Sequence, residues 1–386
     1  MKLNILILIV TSILFVACAL HSVFYVGVRR STWRYWTLLV LFYGAMCATC
    51  LIENLAGMWV AVEATTLLSA PLICHHKSAE SIEAMWKYLL ICSVGIGLAL
   101  FGTLLVYHGW HVPGFVFVLA GYGTKMGLAP FHTWLPDAHS EAPGPVSAFL
   151  SGALLNCSFL AITRFRALMP AEISPFCDQA MVALGLCSLA IAAVFIVRQT
   201  DFKRLLAYSS VEHMGLIIIL FALSGRLPNR PGLELVLPAH LVFHSLTKMM
   251  LFLVAGNLLL AYGTRQISSV HGLGRTMKLH AALWMLGILM ICGMPPSGLF
   301  LTELGLVLAA PTWLAAAVMA FLFVIFAGMS KVAVGMVFGS GERSLAPSPK
   351  SISRMLLIVP AFACAVLVVG GVVISVWPVV KGGFEW

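Results

Sequence analysis

Charged residues are scarce in this chain. Asp, Glu, Lys and Arg make up 10% of its 386 residues, and 61% are hydrophobic, whereas a soluble domain carries about 25% charged residues. No polar block is long enough to build a soluble domain. With a mean hydropathy of +1.01, that shortage points to an integral membrane protein whose main partner is the lipid bilayer. The net charge of +9 does not indicate a nucleic-acid partner, because the basic residues sit in short loops, where they set topology. The ten cysteines contain no four-cysteine iron–sulfur spacing. Cys47 and Cys50 form a C-x-x-C inside an apolar run with no second pair, which reads as packing rather than a redox or metal site. No electron carrier, cofactor, metal or catalytic centre is expected in this chain.

Apolar runs of bilayer length fall at roughly 4–27, 36–53, 55–75, 84–107, 114–135, 145–165, 178–197, 205–224, 237–262, 281–309, 312–338 and 355–378. Each is near or above the ~20 residues that cross ~30 Å of hydrocarbon. The expected fold is therefore an all-α polytopic membrane protein of about 12 transmembrane helices. Lys2, an apolar run and Val16-Ala17-Cys18-Ala19 resemble a signal peptide, with cleavage as the alternative. The run continues to Val28, though, and reads as a retained first helix. If the loop after it is cytoplasmic, fourteen of the 23 lysines and arginines lie on that side, including Arg29, Arg30, Arg198, Lys203, Arg204 and Arg265, and six lie on the other. This bias puts both termini on the outer face of the membrane.

Lys125, Lys248 and Lys331 fall inside spans. A lysine near mid-bilayer costs roughly 2.5–3.5 kcal/mol on insertion scales and usually marks function. Lys125 stands beside Gly127 and Pro130, in a helix expected to break there. A second break is expected at Gly293-Met-Pro-Pro-Ser-Gly298. Hydrocarbon tolerates such breaks only inside protein or along a wet cavity. These are the fifth and tenth spans, so two five-helix units of opposite orientation each contain one broken helix, the arrangement that points to a midplane ion site. The units fall at 36–168 and 177–338, with residues 1–35 as a peripheral first helix and 339–386 as a loop and last helix. In this scheme Lys125 matches Glu303, and Asn156 matches Lys331.

Glu63 lies roughly 12 Å into its span and Lys125 roughly 16 Å into a parallel one. Similar depth and opposite sign suggest an ion pair, either structural or switched. His240, His244 and Lys248 are four apart and share one helix face. A metal site is conceivable from two histidines at that spacing, but no H-E-x-x-H follows and lysine is a poor ligand, so a proton-transfer row is preferred. Imidazole, with an unperturbed pKa near ~6.5, suits such a row. Glu212, His213, Glu303 and Lys331 extend it to other helices. The candidate proton-transfer residues are Glu63, Lys125, His213, His240, His244, Lys248, Glu303 and Lys331. Asp137, His139 and Glu141 read equally well as a proton inlet or as polar loop caps.

At these residues the sequence resembles a known family. Phe131-His-Thr-Trp-Leu-Pro-Asp-Ala-His-Ser-Glu-Ala-Pro143 is similar to the signature of the antiporter-like subunits of respiratory complex I, energy-converting hydrogenases and Mrp sodium/proton antiporters. Gln199-Thr-Asp-Phe-Lys-Arg-Leu-Leu-Ala-Tyr-Ser-Ser-Val-Glu-His213, Phe243-His-Ser-Leu-Thr-Lys248 and Gly293-Met-Pro-Pro-Ser-Gly-Leu-Phe-Leu-Thr-Glu303 match further segments in order, so the resemblance covers about residues 50 to 340. Lys87-Tyr-Leu-Leu-Ile-Cys-Ser-Val-Gly-Ile-Gly97 and Pro143-Gly-Pro-Val-Ser147 look most like the hydrogenase 4 (formate hydrogenlyase) component F type.

The resemblance implies proton translocation through two inverted half-channels joined by a polar axis, with Glu63 and Lys125 as the key pair and Lys248 and Glu303 carrying the axis outward. It also implies a subunit that carries no redox cofactor and is driven by membrane and peripheral partners of a hydrogenase or dehydrogenase module. The alternatives are a stand-alone or Mrp-like sodium/proton antiporter, or a scaffold that no longer pumps. Complex I members usually place a lysine where this chain has Asn156, which cannot titrate. Family members also carry two helices ahead of the first span read here.

Overall fold

The computed structural model describes residues 2–26, 32–224, 233–340 and 354–380. Arg29, Arg30, Arg226, Arg230, Arg343, Lys350 and Lys381, which entered the charge reckoning above, lie outside them. Among the described residues the chain is helical, and its β-type pairing is a single antiparallel bridge, Asp201 with Gln266. The first four helices are α1 (Leu3–Tyr25), α2 (Thr32–Leu51), α3 (Leu55–Ile73) and α4 (Ala79–Tyr107). Each is a long apolar run that satisfies its own backbone groups, as hydrocarbon requires. Polar caps mark where the chain leaves it. Asn54 Oδ1 accepts from the Ala56 and Gly57 amides at 2.8 and 3.2 Å, and Ser78 Oγ accepts from Ser81 N at 3.1 Å.

The fifth expected span is broken where its glycine and proline foretold. Helix α5 (His111–Met126) stops at Gly127, which adopts φ +81°, and a short 3-10 turn (Phe131–Thr133) leads into α6 (Trp134–Glu141). The sixth span is one buried run made of α7 (Gly144–Phe149) and α8 (Leu155–Ala167), joined by a π turn over Leu150–Leu154. Nothing in its composition announced that turn, and such turns concentrate at functional sites. Helices α9 (Ser174–Val197), α10 (Phe202–Ser224) and α11 (Leu233–Tyr262) follow. After the short α12 (Leu273–Thr276), the tenth span divides into α13 (Lys278–Ile291) and α14 (Gly298–Ala309). Helices α15 (Thr312–Phe338) and α16 (Ile358–Val380) complete the described chain. Among the described residues, eleven helical runs are long and apolar enough to cross a membrane, and the twelfth expected span is the α13–α14 pair of shorter apolar helices.

The two breaks share one construction. Each first half ends in a glycine with positive φ, Gly127 (+81°) and Gly293 (+62°), where a side chain would be strained. At each a ring N–H meets a carbonyl of the last turn: Trp134 Nε1 donates to Thr124 O at 2.8 Å, beside the Gly127 amide, and His213 Nε2 lies 2.9 Å from Ile291 O. The freed Ala129 amide at the first break donates to Ser188 Oγ at 2.9 Å. These contacts satisfy backbone groups that the breaks would otherwise leave unpaired, although Met294, Pro295 and Pro296 at the second break are exposed. Helices α7 and α11 meet at Gly144 and Gly256, where a Cβ on Gly144 would stand 2.8 Å from the Gly256 Cα. Helix α1 lies against α2, α7 and α11. Ser22 Oγ is hydrogen-bonded to the Tyr35 hydroxyl at 2.8 Å.

Candidate functional site

Three groups of buried polar side chains lie along the two broken helices and the helices between them. The first surrounds Lys125, which has no solvent exposure. Its ammonium donates to the Tyr88 hydroxyl at 2.6 Å and to Thr66 Oγ1 at 2.8 Å. Tyr88 OH in turn lies 2.7 Å from Ser69 Oγ. Thr66 Oγ1 donates to Glu63 Oε2 at 3.3 Å, and Ser93 Oγ donates to Glu63 Oε1 at 2.7 Å. The direct Glu63–Lys125 ion pair anticipated from depth and charge is therefore replaced by a bridged one. Thr66 sits one helical turn beyond Glu63 on α3 and occupies the space between acid and base. Glu63 is half-buried at the edge of this group. Thr66, Ser69, Tyr88 and Ser93 were not anticipated, because neutral residues in an apolar run carry no charge signal. The one available clue was that Thr66 follows Glu63 at the i, i+3 spacing that shares a face.

The second group flanks the π turn. Asn156 Nδ2 donates to Ser245 Oγ at 2.8 Å and to Gly152 O at 3.0 Å, while its Oδ1 has no hydrogen-bond partner. Ser151 and Ser210 hydroxyls meet at 2.8 Å. All four side chains are buried. They join α7–α8 to α10 and α11 with hydroxyls and an amide, and no charge.

The third group lies between α10, α11 and the second break. Lys248, also without solvent exposure, donates to Leu206 O at 2.7 Å and to Ser209 Oγ. His213 Nδ1 and His240 Nε2 are 3.1 Å apart, and His240 Nδ1 is 2.8 Å from Thr302 Oγ1. The His244 ring centre lies 5.1 Å from that of His213, and neither of its nitrogens is partnered. Glu212 Oε2 and Glu303 Oε1 are likewise buried without partners. The Glu303 carboxylate rests on the Gly293 Cα, so a Cβ there would stand 2.8 Å from its Cδ. His240, His244 and Lys248 all turn towards α10.

Proton positions in the histidine pair follow from the acceptors. Ile291 O can only accept, so His213 Nε2 carries a hydrogen, and in the neutral ring Nδ1 accepts from His240 Nε2. Neutral His240 must then accept at Nδ1 from Thr302. That hydroxyl also lies 2.9 Å from Leu299 O and has one hydrogen to give. When it donates to Leu299 O, the His240–Thr302 bond persists only if Nδ1 is protonated. The same heavy atoms thus accommodate the row with or without one extra proton.

Lys331 is set apart. It is exposed on the outer face of α15 and makes no ion pair with a described residue, so the structure does not bring it to the row. Lys203, assigned from sequence to a loop, is buried instead. Its ammonium donates to Ser140 O at 3.0 Å and Ala142 O at 2.5 Å, capping the carbonyls at the end of α6. Asp137 and Glu141 belong to an ion-pair network with Lys87 (3.1 Å), Arg204 and Arg265 (2.6 Å). The network lines a cavity of about 660 Å³ at that end of the bundle. His76 lines the same cavity, and burial lowers its imidazole pKa below the usual value. His139 is not in the network; it stacks on Phe252 at 4.9 Å with both nitrogens unpartnered.

The family described as NADH:quinone oxidoreductase/Mrp antiporter, transmembrane, matches residues 111–330, from α5 through most of α15. The chain belongs to this family. Within it, the chain is 39% identical over 293 residues to the hydrogenase-4 component F homolog of Methylacidiphilum infernorum, an alignment covering 68% of this chain and 60% of that relative. It is 28% identical over 315 residues to NADH-quinone oxidoreductase subunit N of Laribacter hongkongensis, covering 72% and 62%. The chain thus spans about 60% of the length of these antiporter-like relatives. Among solved structures, a chain of the Mrp complex of Dietzia sp. DQ12-45-1b superposes with a TM-score of 0.85 over 97% of this chain and 81% of its own, at 20% identity. A chain of the archaeal membrane-bound sulfane sulfur reductase gives 0.84 over 97% and 79%, at 23% identity. At these identities the likeness establishes the family's helical fold.

Proposed function

We propose that this chain is a proton-translocating membrane subunit of a hydrogenase-type or related oxidoreductase complex. In this reading it lies in the cell inner membrane with both termini on the outer face. The observation that carries the reading is the pair of fully buried lysines deep within spans, Lys125 and Lys248; the third buried lysine, Lys203, stands at the start of α10 and caps α6. Each of the pair is held by neutral oxygens with no ion pair to a described residue, and each lies near one of two similarly built helix breaks. A lysine so placed in a span is a functional group by default. Its proton occupancy responds to small changes in the surrounding field.

The two five-helix units, 36–168 and 177–338, act as half-channels. Thr66 makes the first centre switchable: its hydroxyl accepts from Lys125 and donates to Glu63, so the acid feels the lysine through one hydrogen bond. A redox-driven shift of neighbouring subunits at the edge where Glu63 is half-buried changes that link and the proton affinity of Lys125. At an effective dielectric near 20, moving a charge to or from ~4 Å is worth roughly 4 kcal/mol, enough to transfer a proton. The proton then passes the Asn156 group to Lys248 and leaves by the histidines and Glu303. Partner membrane and peripheral subunits supply the electron chemistry, since no electron carrier is assigned to this chain.

Sodium/proton exchange is the second reading, favoured by the Mrp likeness of the fold. The assembled complex in sealed vesicles, given its electron donor, is expected to acidify one side whether or not sodium is present. Sodium-dependent proton flux by the isolated chain, with no redox partner, would replace the first reading with the second.

A further inference from the structure

Helices α9 and α15 leave an apolar groove between them on the outer face of the bundle. Ala190, Ala193, Val194 and Val197 form one side, and Phe321 and Val324 the other, around a volume of about 480 Å³. That is within the ~300–1,000 Å³ of typical ligand pockets. The helices run side by side and come closest near the end of α9, where a Cβ on Gly328 would stand 3.0 Å from Ile196 Cγ2 and 3.4 Å from Val197 Cα. Arg198, the residue after α9, closes the groove at that end and is exposed. Lys331 is seven residues beyond Val324, hence on the same stripe of α15, and one turn beyond Gly328. It too is exposed, at the same end as Arg198.

We propose that this groove is a binding site for an anionic glycerophospholipid. The acyl chain lies between α9 and α15, and the phosphate is held by Arg198 and Lys331. Charge complementarity identifies the occupant. The groove wall is apolar and offers a hydrocarbon chain what it needs, while both cations gather at one end. Arg198 stands where a helix leaves the membrane, at headgroup depth. Lys331 lies roughly 10 Å short of the end of α15, and its aliphatic stem reaches towards the same level. Basic groups at the ends of grooves between spanning helices are recognised features of lipid-headgroup sites. This role accounts for a lysine that sits inside a span yet faces away from the buried row, and it is independent of the proton reading above.

The test uses the full chain in detergent, titrated with phosphatidylglycerol or chain-matched phosphatidylcholine and followed by native mass spectrometry. Wild type should bind phosphatidylglycerol the more tightly. Arg198→Gln with Lys331→Gln should weaken that binding about thirtyfold and leave phosphatidylcholine binding unchanged. Val194→Trp, which fills the groove from an exposed position, should weaken both. Equal binding of the two lipids by wild type, or undiminished phosphatidylglycerol binding in the double variant, would overturn the proposal. Displacement of the lipid by millimolar inorganic phosphate would do the same by removing the acyl chain from recognition. A photo-crosslinker at Phe321 in native membranes should capture lipid, and capture of a protein subunit there would assign the groove to a partner instead.

Discussion

Lys125→Met is expected to lower proton transfer by about a hundredfold or more while the protein still folds and assembles. The magnitude is that of removing a positioned proton-transfer group. Survival of the fold follows from what touches the ammonium. Its two acceptors, Tyr88 OH and Thr66 Oγ1, each keep another partner when it goes: Tyr88 retains Ser69 at 2.7 Å, and Thr66 retains Glu63 at 3.3 Å. Methionine fills a similar volume without the cost of burying a charge, and Glu63, half-buried, keeps Ser93 at 2.7 Å as a partner. Electron transfer through the partner subunits, measured beside proton release in sealed vesicles, separates the two effects. Retained electron transfer with lost proton release is the expected pattern, and proton release near the wild-type level would remove Lys125 from the path.

His213→Gln should have a comparable effect for a different reason. A glutamine amide can still donate to Ile291 O and accept from His240, so the hydrogen bonds at the second break survive. An amide does not take up and hand on a proton near neutral pH as an imidazole does. The unfolding midpoint should therefore stay close to wild type while proton transfer falls about a hundredfold. His213→Leu should lose both, because Ile291 O and His240 Nε2 would then be left buried without partners, at about 1–3 kcal/mol each. If His213→Gln transfers protons normally, the histidine pair is a structural strut for the break.

What the sequence revealed depended on which signals hydrocarbon makes conspicuous. Spans declared themselves as apolar runs, and both breaks as Gly and Pro inside such runs, because each is a local property of the chain. Lys125, the His240–His244–Lys248 face and Glu303 stood out because charge in a span is expensive. Thr66, Tyr88, Ser151 and Ser245 did not, since a hydroxyl in a membrane helix commonly bonds its own backbone, and only tertiary contacts distinguish a bridging one. The same limit misplaced three lysines. Lys125 was matched directly to Glu63 because depth along a helix says nothing of what lies between two helices. Lys203 looked like a loop residue because its carbonyl partners are about sixty positions away in the chain. Lys331 looked internal because its position in a span does not say which way the helix faces.

The account stands on continuity between the two lysine centres through a region with no charge. Asn156→Leu tests that most directly, since leucine has nearly the shape of asparagine but cannot bond Ser245. In sealed vesicles holding the assembled complex, pH-sensitive dyes on the two sides would follow uptake and release during a single turnover. The account predicts that uptake belonging to the Lys125 group persists while release on the far side falls at least about tenfold. Release at the wild-type rate would contradict it, and would mean that the two centres serve separate paths.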